Sequence, residues 1–164
     1  MVSARVLGRR TPVNPRTIEA WAALEQALQR TSYRAERVWV YNCRNIAGSS
    51  SRSLHAYGLA IDIDPGWNPN RRTPDGRPVR FSDAATQEQR LADVRQGRAD
   101  TVFTPEQIAA VEAVRTVDGR QVFSWGGRWR TTKDTMHFEI NVTPAELASG
   151  LATWGPEPGR RPGA

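Results

Sequence analysis

Apolar positions recur at helical spacing after Asn14-Pro15, where Ile18, Trp21, Leu24 and Leu28 fall three or four residues apart. Asparagine at an N-cap followed by proline at the first helical position starts such a segment, so the pattern predicts an amphipathic helix over 15 to about 30. The period then shortens. Val38 to Tyr41 predicts a short strand, and Asn42 to Ser53, polar and small, predicts a loop. Gly58 to Ile63 predicts a second strand, with Asp62 and Asp64 on one face and Ile61 and Ile63 on the other. Trp67 to Arg80 is rich in Pro, Asn and Arg and reads as an excursion loop, followed by a weak helix over 83 to 96.

Two segments carry the same start signal. Thr104-Pro105-Glu106-Gln107 and Thr143-Pro144-Ala145-Glu146 each place a capping threonine before a proline, with Gln or Glu three residues on. They predict helices running to about Arg115 and about Trp154. Between them, Asp118-Gly119 marks a turn ahead of Gln121-Val122-Phe123, and Met136 to Val142 alternates as a strand. Helices and short strands without a strict βα rhythm predict an α+β fold. Residues 1–154 are expected to form the domain, with Gly155 to Ala164 a flexible tail or linker.

Length and charge narrow the class. The 164 residues suit one domain, and no apolar run approaches the ~18 residues of a membrane span. Met1 to Arg10 lacks the apolar stretch of a signal peptide, so the expectation is synthesis in the cytoplasm and release or export by a separate route. Lys plus Arg total 23 against 17 acids, a net charge of +6, and all but Lys133 of those cations are Arg. A basic surface suits an anionic partner, and an anionic wall polymer is one. Arg71-Arg72 and Arg77 to Arg80 would be its loop. Nucleic acid is not expected, because the basic residues are scattered and no binding motif accompanies them. Cys43 is alone and reads as a small buried residue.

Histidine occurs only at His55 and His137. With Asp62 and Asp134 these residues stand out, since two imidazoles and a carboxylate form a catalytic zinc set with a position left for water. A further carboxylate beside that water can take its proton and pass it to a leaving amine. His55 and Asp62 are seven apart, so on an ideal strand they would face opposite ways. They converge only if the chain bends between them, and Gly58 lies there. Asp134 would belong to a turn before the strand opened by His137, and Gly126-Gly127 would let the approach loop turn back. Trp125 and Trp129 are candidates to flank a substrate groove. Glu139 would share a face with His137, and Asp64 is expected to support the loop at Pro65.

Ser53 to Asp62 fits SxHxxGxAxD, and Asp134 to Glu139 fits D/ExxHFE. Together with Tyr41-Asn42-Cys43-Arg44, Asp64-Pro65, Asn68-Pro69 and Trp125-Gly126-Gly127, these motifs resemble the zinc D-alanyl-D-alanine carboxypeptidases and the L-alanyl-D-glutamate endopeptidases of bacteriophage endolysins. The resemblance spans roughly Tyr41 to Val142. It implies a small antiparallel sheet with helices packed outside, as in the hedgehog signalling domain. It implies Zn²⁺ held by His55, Asp62 and His137, with Asp134 as general base and acid. Arg44 would stabilise developing negative charge, and Ser53 would help orient substrate. The implied substrate is the peptidoglycan stem peptide, cut by a monomer at the bacterial cell wall. Asp rather than Glu at position 134 tilts the expectation toward the endopeptidase. A D-alanyl-D-alanine carboxypeptidase and a catalytically silent, zinc-stabilised wall-binding module are the alternatives.

Overall fold

A computed structural model describes residues 1–152. The expected tail, Gly155 to Ala164, and the last two residues of the expected final helix lie outside the described residues. The first two strands form a hairpin that no turn signal in the sequence marks, β1 (Val2–Val6) paired antiparallel with β2 (Arg9–Val13). Its turn is Leu7-Gly8, with φ of 51° and 75°. Two residues in the left-handed region match the twist of a two-residue hairpin, but a leucine at the first position hides the signal. The Glu25 carboxylate accepts from the Leu7 amide at 3.0 Å and ties this turn to the first helix.

That helix is α1 (Ile18–Arg30), entered through a 3-10 turn over Pro15–Thr17 that the Asn14 side chain caps. Its stripe of Ala20, Trp21, Leu24, Ala27 and Leu28 is fully buried. Next come β3 (Val38–Trp39), β4 (Ala60–Ile63) and β5 (Asn70–Arg72), then α2 (Gln87–Arg95) and α3 (Pro105–Glu112). The chain continues through β6 (Phe123–Trp125), β7 (Thr132–Asp134), β8 (His137–Ile140) and α4 (Pro144–Ala148). The expected caps at Thr104 and Thr143 form, each threonine hydroxyl accepting from the amide three residues on. α4 is shorter than its sequence suggested. Gly150 takes φ 102°, and Leu151 bridges back to Thr116.

β3, β4, β8 and β6 form one antiparallel sheet in that order. The α+β architecture with a small antiparallel sheet is therefore as expected. Ile61, Ile63, Phe123, Trp125, Phe138 and Ile140 lie on its core face, with Trp21 stacked on Phe123 and Phe103 edge-on to Phe138. Each such side chain gains roughly 1.5–3 kcal/mol on burial, so a one-residue slip that turned this face outward is excluded. The register leaves the opposite face polar, and that face carries the site.

The excursion loop is more ordered than its composition implies. β5 pairs antiparallel with β7, matching Asn70 to Asp134 and Arg71 to Lys133. Farther along, the loop is pinned by Asp100, whose buried carboxylate accepts from the Arg77 guanidinium at 2.6 and 3.1 Å and from the Arg80 backbone at 2.8 Å. Asp64 is buried at φ 47° and anchors the chain before Pro65, as expected. It accepts from Tyr33 Oη at 2.8 Å and from the Glu36 and Arg37 amides at 2.9 and 2.6 Å. No helix among the described residues is long and apolar enough to cross a membrane.

Candidate metal centre

Asp62 and His137 are direct partners across β4 and β8. Directly opposed residues project to the same face, so the register alone brings these two side chains together although 75 residues separate them. His55 arrives differently. It sits on a 3-10 turn, Leu54–Tyr57, that Ser53 caps by accepting from the His55 amide at 3.3 Å. Gly58 ends the turn at φ 68°, and a Cβ there would lie 2.9 Å from the Asn14 amide nitrogen. The bend required by the seven-residue spacing is thus a helical turn closed by a left-handed glycine.

The three candidate donor atoms form a nearly equilateral triangle. His55 Nε2 lies 3.2 Å from His137 Nδ1 and 3.3 Å from Asp62 Oδ1, and the remaining edge is 3.2 Å. A tetrahedral centre with bonds of ~2.0–2.1 Å separates its donors by roughly 3.3–3.4 Å. Two imidazoles and a carboxylate at this spacing therefore fit a zinc-sized cation. Both histidines are buried, while Asp62 keeps one edge partly open.

The outer contacts of the imidazoles fix which nitrogen faces inward. His55 Nδ1 is 2.8 Å from the Val40 carbonyl, which can only accept. Nδ1 therefore carries a proton, and Nε2 is the nitrogen turned toward a cation. His137 is held the other way round. Its Nε2 donates to Glu139 at 3.0 Å, and Glu139 in turn accepts from Ser124 Oγ at 3.3 Å. Glu139, Ser124 and Ala60 are neighbours in one row across the sheet. The expected shared face of Glu139 and His137 is thereby realised as a direct hydrogen bond.

Electrostatics follow from these contacts. Burial works against a charged Asp62, yet hydrogen bonds from His137 and His55 outweigh it and hold its pKa at about 2. Burial alone would also lower His137, but its bonds to Asp62 and Glu139 raise it to about 9. Without a cation His137 therefore carries its proton at neutral pH and must release it from Nδ1 to coordinate. Glu139 is held below the usual range by its bond to His137.

Asp134 ends β7 beside this triangle. Its half-buried carboxyl has one oxygen, Oδ1, that is buried and without a hydrogen-bond partner. Burial pushes its pKa up; the His137 charge opposes this and the Asp62 charge adds to it. Gly126 makes its position attainable. A Cβ on Gly126 would lie 2.5 Å from the Asp134 carbonyl oxygen, 3.0 Å from the Asp134 Cβ and 3.2 Å from the His137 Cβ. The glycine pair therefore acts by close packing, with Gly126 against Asp134 and Gly127 against the Trp125 ring, and neither residue takes a positive φ.

Other expected site residues are distributed unevenly. Trp125 is a correction. It is 1% exposed, donates from Nε1 to the Thr135 carbonyl at 2.9 Å and stacks on Phe138, so it is core and cannot touch substrate. The alternation puts it opposite Phe138, on the wrong face of the sheet. Trp129 is the aromatic at the site, 38% exposed with its ring centroid 5.2 Å from that of His137. Ser53 is buried and caps the turn that carries His55. Arg44 is exposed, its guanidinium donating to the Asn45 carbonyl at 3.3 Å. Cys43 is exposed rather than buried, since it lies in the loop beyond β3. Three contributors have no signature in the sequence: the Val40 carbonyl, Ser124 and the crowding at Gly126. Each depends on register or on atoms that every residue shares.

A donor triangle that could hold a metal ion, with a half-buried carboxyl beside it on an α+β scaffold, is an arrangement suited to metal-assisted hydrolysis. Over residues 47–140, more than half of its length, the sequence matches the family described as D-alanyl-D-alanine carboxypeptidase, and the chain belongs to that family of peptidases. The matched stretch holds His55, Asp62, Asp134 and His137, and begins three residues after Arg44. No curated protein and no solved structure matches the chain.

Proposed function

We propose that the protein is a zinc-dependent peptidoglycan hydrolase that cuts the stem peptide between L-Ala and D-Glu, acting as a monomer at the bacterial cell wall as the catalytic part of an endolysin. The observation that carries this reading is the triangle of His55 Nε2, Asp62 Oδ1 and His137 Nδ1 with edges of 3.2–3.3 Å. A zinc ion held there supplies Lewis acidity and an acidified water. The chain's own residues do the rest. Asp134, with its free buried oxygen and raised pKa, takes the proton of the attacking water and returns it to the leaving amine. Burial suits it to accept the proton, because a carboxylate pushed up in pKa is a stronger base than one in water, and its protonated form is still acidic enough to protonate a leaving amine. Arg44, exposed near the start of the loop after β3, stabilises the developing oxyanion or a substrate carboxylate. The Trp129 ring walls the site beside His137. Ser53 serves the reaction by holding the turn of His55 in place.

The family's description favours the D-alanyl-D-alanine carboxypeptidase as second reading, and one experiment separates the two. Purified wall is digested with zinc-loaded protein and the muropeptides are weighed. New D-Glu amino termini are expected, absent with Asp134→Asn. Loss of a terminal D-Ala instead moves the cut to the other bond, and wall binding without any product makes the protein a silent module.

A further inference from the structure

The row of the sheet that holds the metal centre extends one strand beyond its donors. Trp39 on β3 is the direct partner of Asp62, and Asp62 is the direct partner of His137. Opposed residues project to one face, so Trp39, Asp62 and His137 stand side by side on the polar face of the sheet. The alternation along the chain agrees, with Val38 and Val40 buried and Trp39 between them turned out. Trp39 is 53% exposed, unusual for so large an apolar ring. β3 is an edge strand, so no strand of this sheet lies beyond it. Among the described residues the indole stacks on no other ring.

The proposed chemistry gives this row a direction. Asp134 lies on the His137 side, because Gly126, at the turn after β6, packs closely against both. The half of the substrate that departs with the amine ends beside the carboxyl that protonates it, so it occupies that side, where Trp129 also stands. The acyl half then runs the other way, across Asp62 toward Trp39. For a cut between L-Ala and D-Glu this half is short: L-alanine, a lactyl group and then the pyranose ring of the amino sugar. An extended residue spans ~3.3–3.6 Å, which brings the sugar to roughly 7 Å from the cut, and adjacent strands lie ~4.7–4.9 Å apart. The sugar therefore falls over the strand next to Asp62. One side of a pyranose is a flat face of C–H groups, and an exposed indole face is broad, rigid and apolar. We infer that Trp39 forms a subsite that stacks on the N-acetylmuramoyl ring, so that the protein selects stem peptides still joined to sugar. The subsite rests on the cut proposed above, since in a D-alanyl-D-alanine substrate the sugar lies several residues farther from the metal centre.

The test uses the full, zinc-loaded chain and two substrates that differ only in the sugar, N-acetylmuramoyl-L-Ala-γ-D-Glu-L-Lys and D-lactoyl-L-Ala-γ-D-Glu-L-Lys. Release of γ-D-Glu-L-Lys gives kcat/KM for each, and the ratio is taken within one preparation, so any loss of folded protein cancels. Wild type is expected to favour the sugar-bearing substrate about ten-fold. Trp39→Ala brings the ratio close to one, Trp39→Phe keeps part of the preference, and Trp129→Ala, on the leaving side, keeps the ratio. A wild-type ratio near one, a ratio intact in Trp39→Ala, or one lost equally in Trp129→Ala overturns the subsite. If neither substrate is cut, calorimetry compares the binding of the same two compounds. A sugar preference that Trp39→Ala removes then supports the subsite and removes the L-Ala–D-Glu reading, whereas equal affinities or no binding overturn both.

Discussion

Asp62 and His137 face each other across β4 and β8 with Oδ1 and Nδ1 3.2 Å apart, and His55 closes the triangle from a turn outside the sheet. Two of the three donors are thus set by strand register, which the core face of Ile61 and Phe138 enforces. The third depends on a capped turn. This division decides which substitutions disturb the metal centre and which disturb the fold.

Glu139 sets the tautomer of His137 through Nε2 at 3.0 Å. Glu139→Gln is expected to weaken zinc binding about 10- to 100-fold, with Ser124→Ala causing a smaller loss in the same direction. Competition against a chromophoric chelator measures both. Unchanged zinc affinity in Glu139→Gln removes its role.

The two adjacent glycines should separate activity from stability. Gly126→Ala forces a Cβ to within 2.5 Å of the Asp134 carbonyl and moves that carboxyl, so a loss of on the order of 100-fold in turnover is expected. Gly127→Ala strikes the Trp125 ring at 2.4 Å and should cost about 1–3 kcal/mol of stability. Denaturant melts beside wall-hydrolysis rates read the contrast, and identical behaviour of the two variants refutes it.

Trp129 and Trp125 make a second pair of opposites. Trp129→Ala leaves a surface ring missing beside His137 and is expected to raise KM with little change in stability. Trp125→Ala empties a core position and should cost about 3–5 kcal/mol. A Trp129→Ala protein with wild-type kinetics means the ring touches no substrate.

Asp100 links stability to acid. Hydrogen bonds from Arg77 and Arg80 outweigh its burial and hold its carboxyl far below the usual range. A depressed native pKa contributes stability that is complete above the unfolded value, ~3.9, and is lost as pH falls through the native one. The melting temperature should therefore drop steeply below about pH 4, and Asp100→Asn should flatten that drop while lowering the plateau at neutral pH. Parallel curves for the two proteins from pH 2 to 7 contradict the assignment.

Much of this centre was legible in the residues themselves. The rarity of histidine drew attention to His55 and His137, the odd spacing to Asp62 demanded a bend, and Gly58 provides it at φ 68°. The caps at Thr104 and Thr143 form because they need only neighbours three residues away. Local signals of this kind are complete within one turn of chain. The hairpin at Leu7-Gly8 was missed because its turn uses a residue with no turn preference. Trp125 was misplaced because facing is decided by which strand lies opposite, and Phe138, on the core face, is its partner. The hold of Val40 and Glu139 on the imidazoles, the crowding at Gly126 and the alignment of Trp39 with Asp62 all follow from pairings between distant strands. The residues determined the donors and the hydrolytic chemistry they suit. Only the tertiary structure decided their distances, their orientation and the aromatic rings set beside them, because those depend on register fixed by packing across the whole sheet.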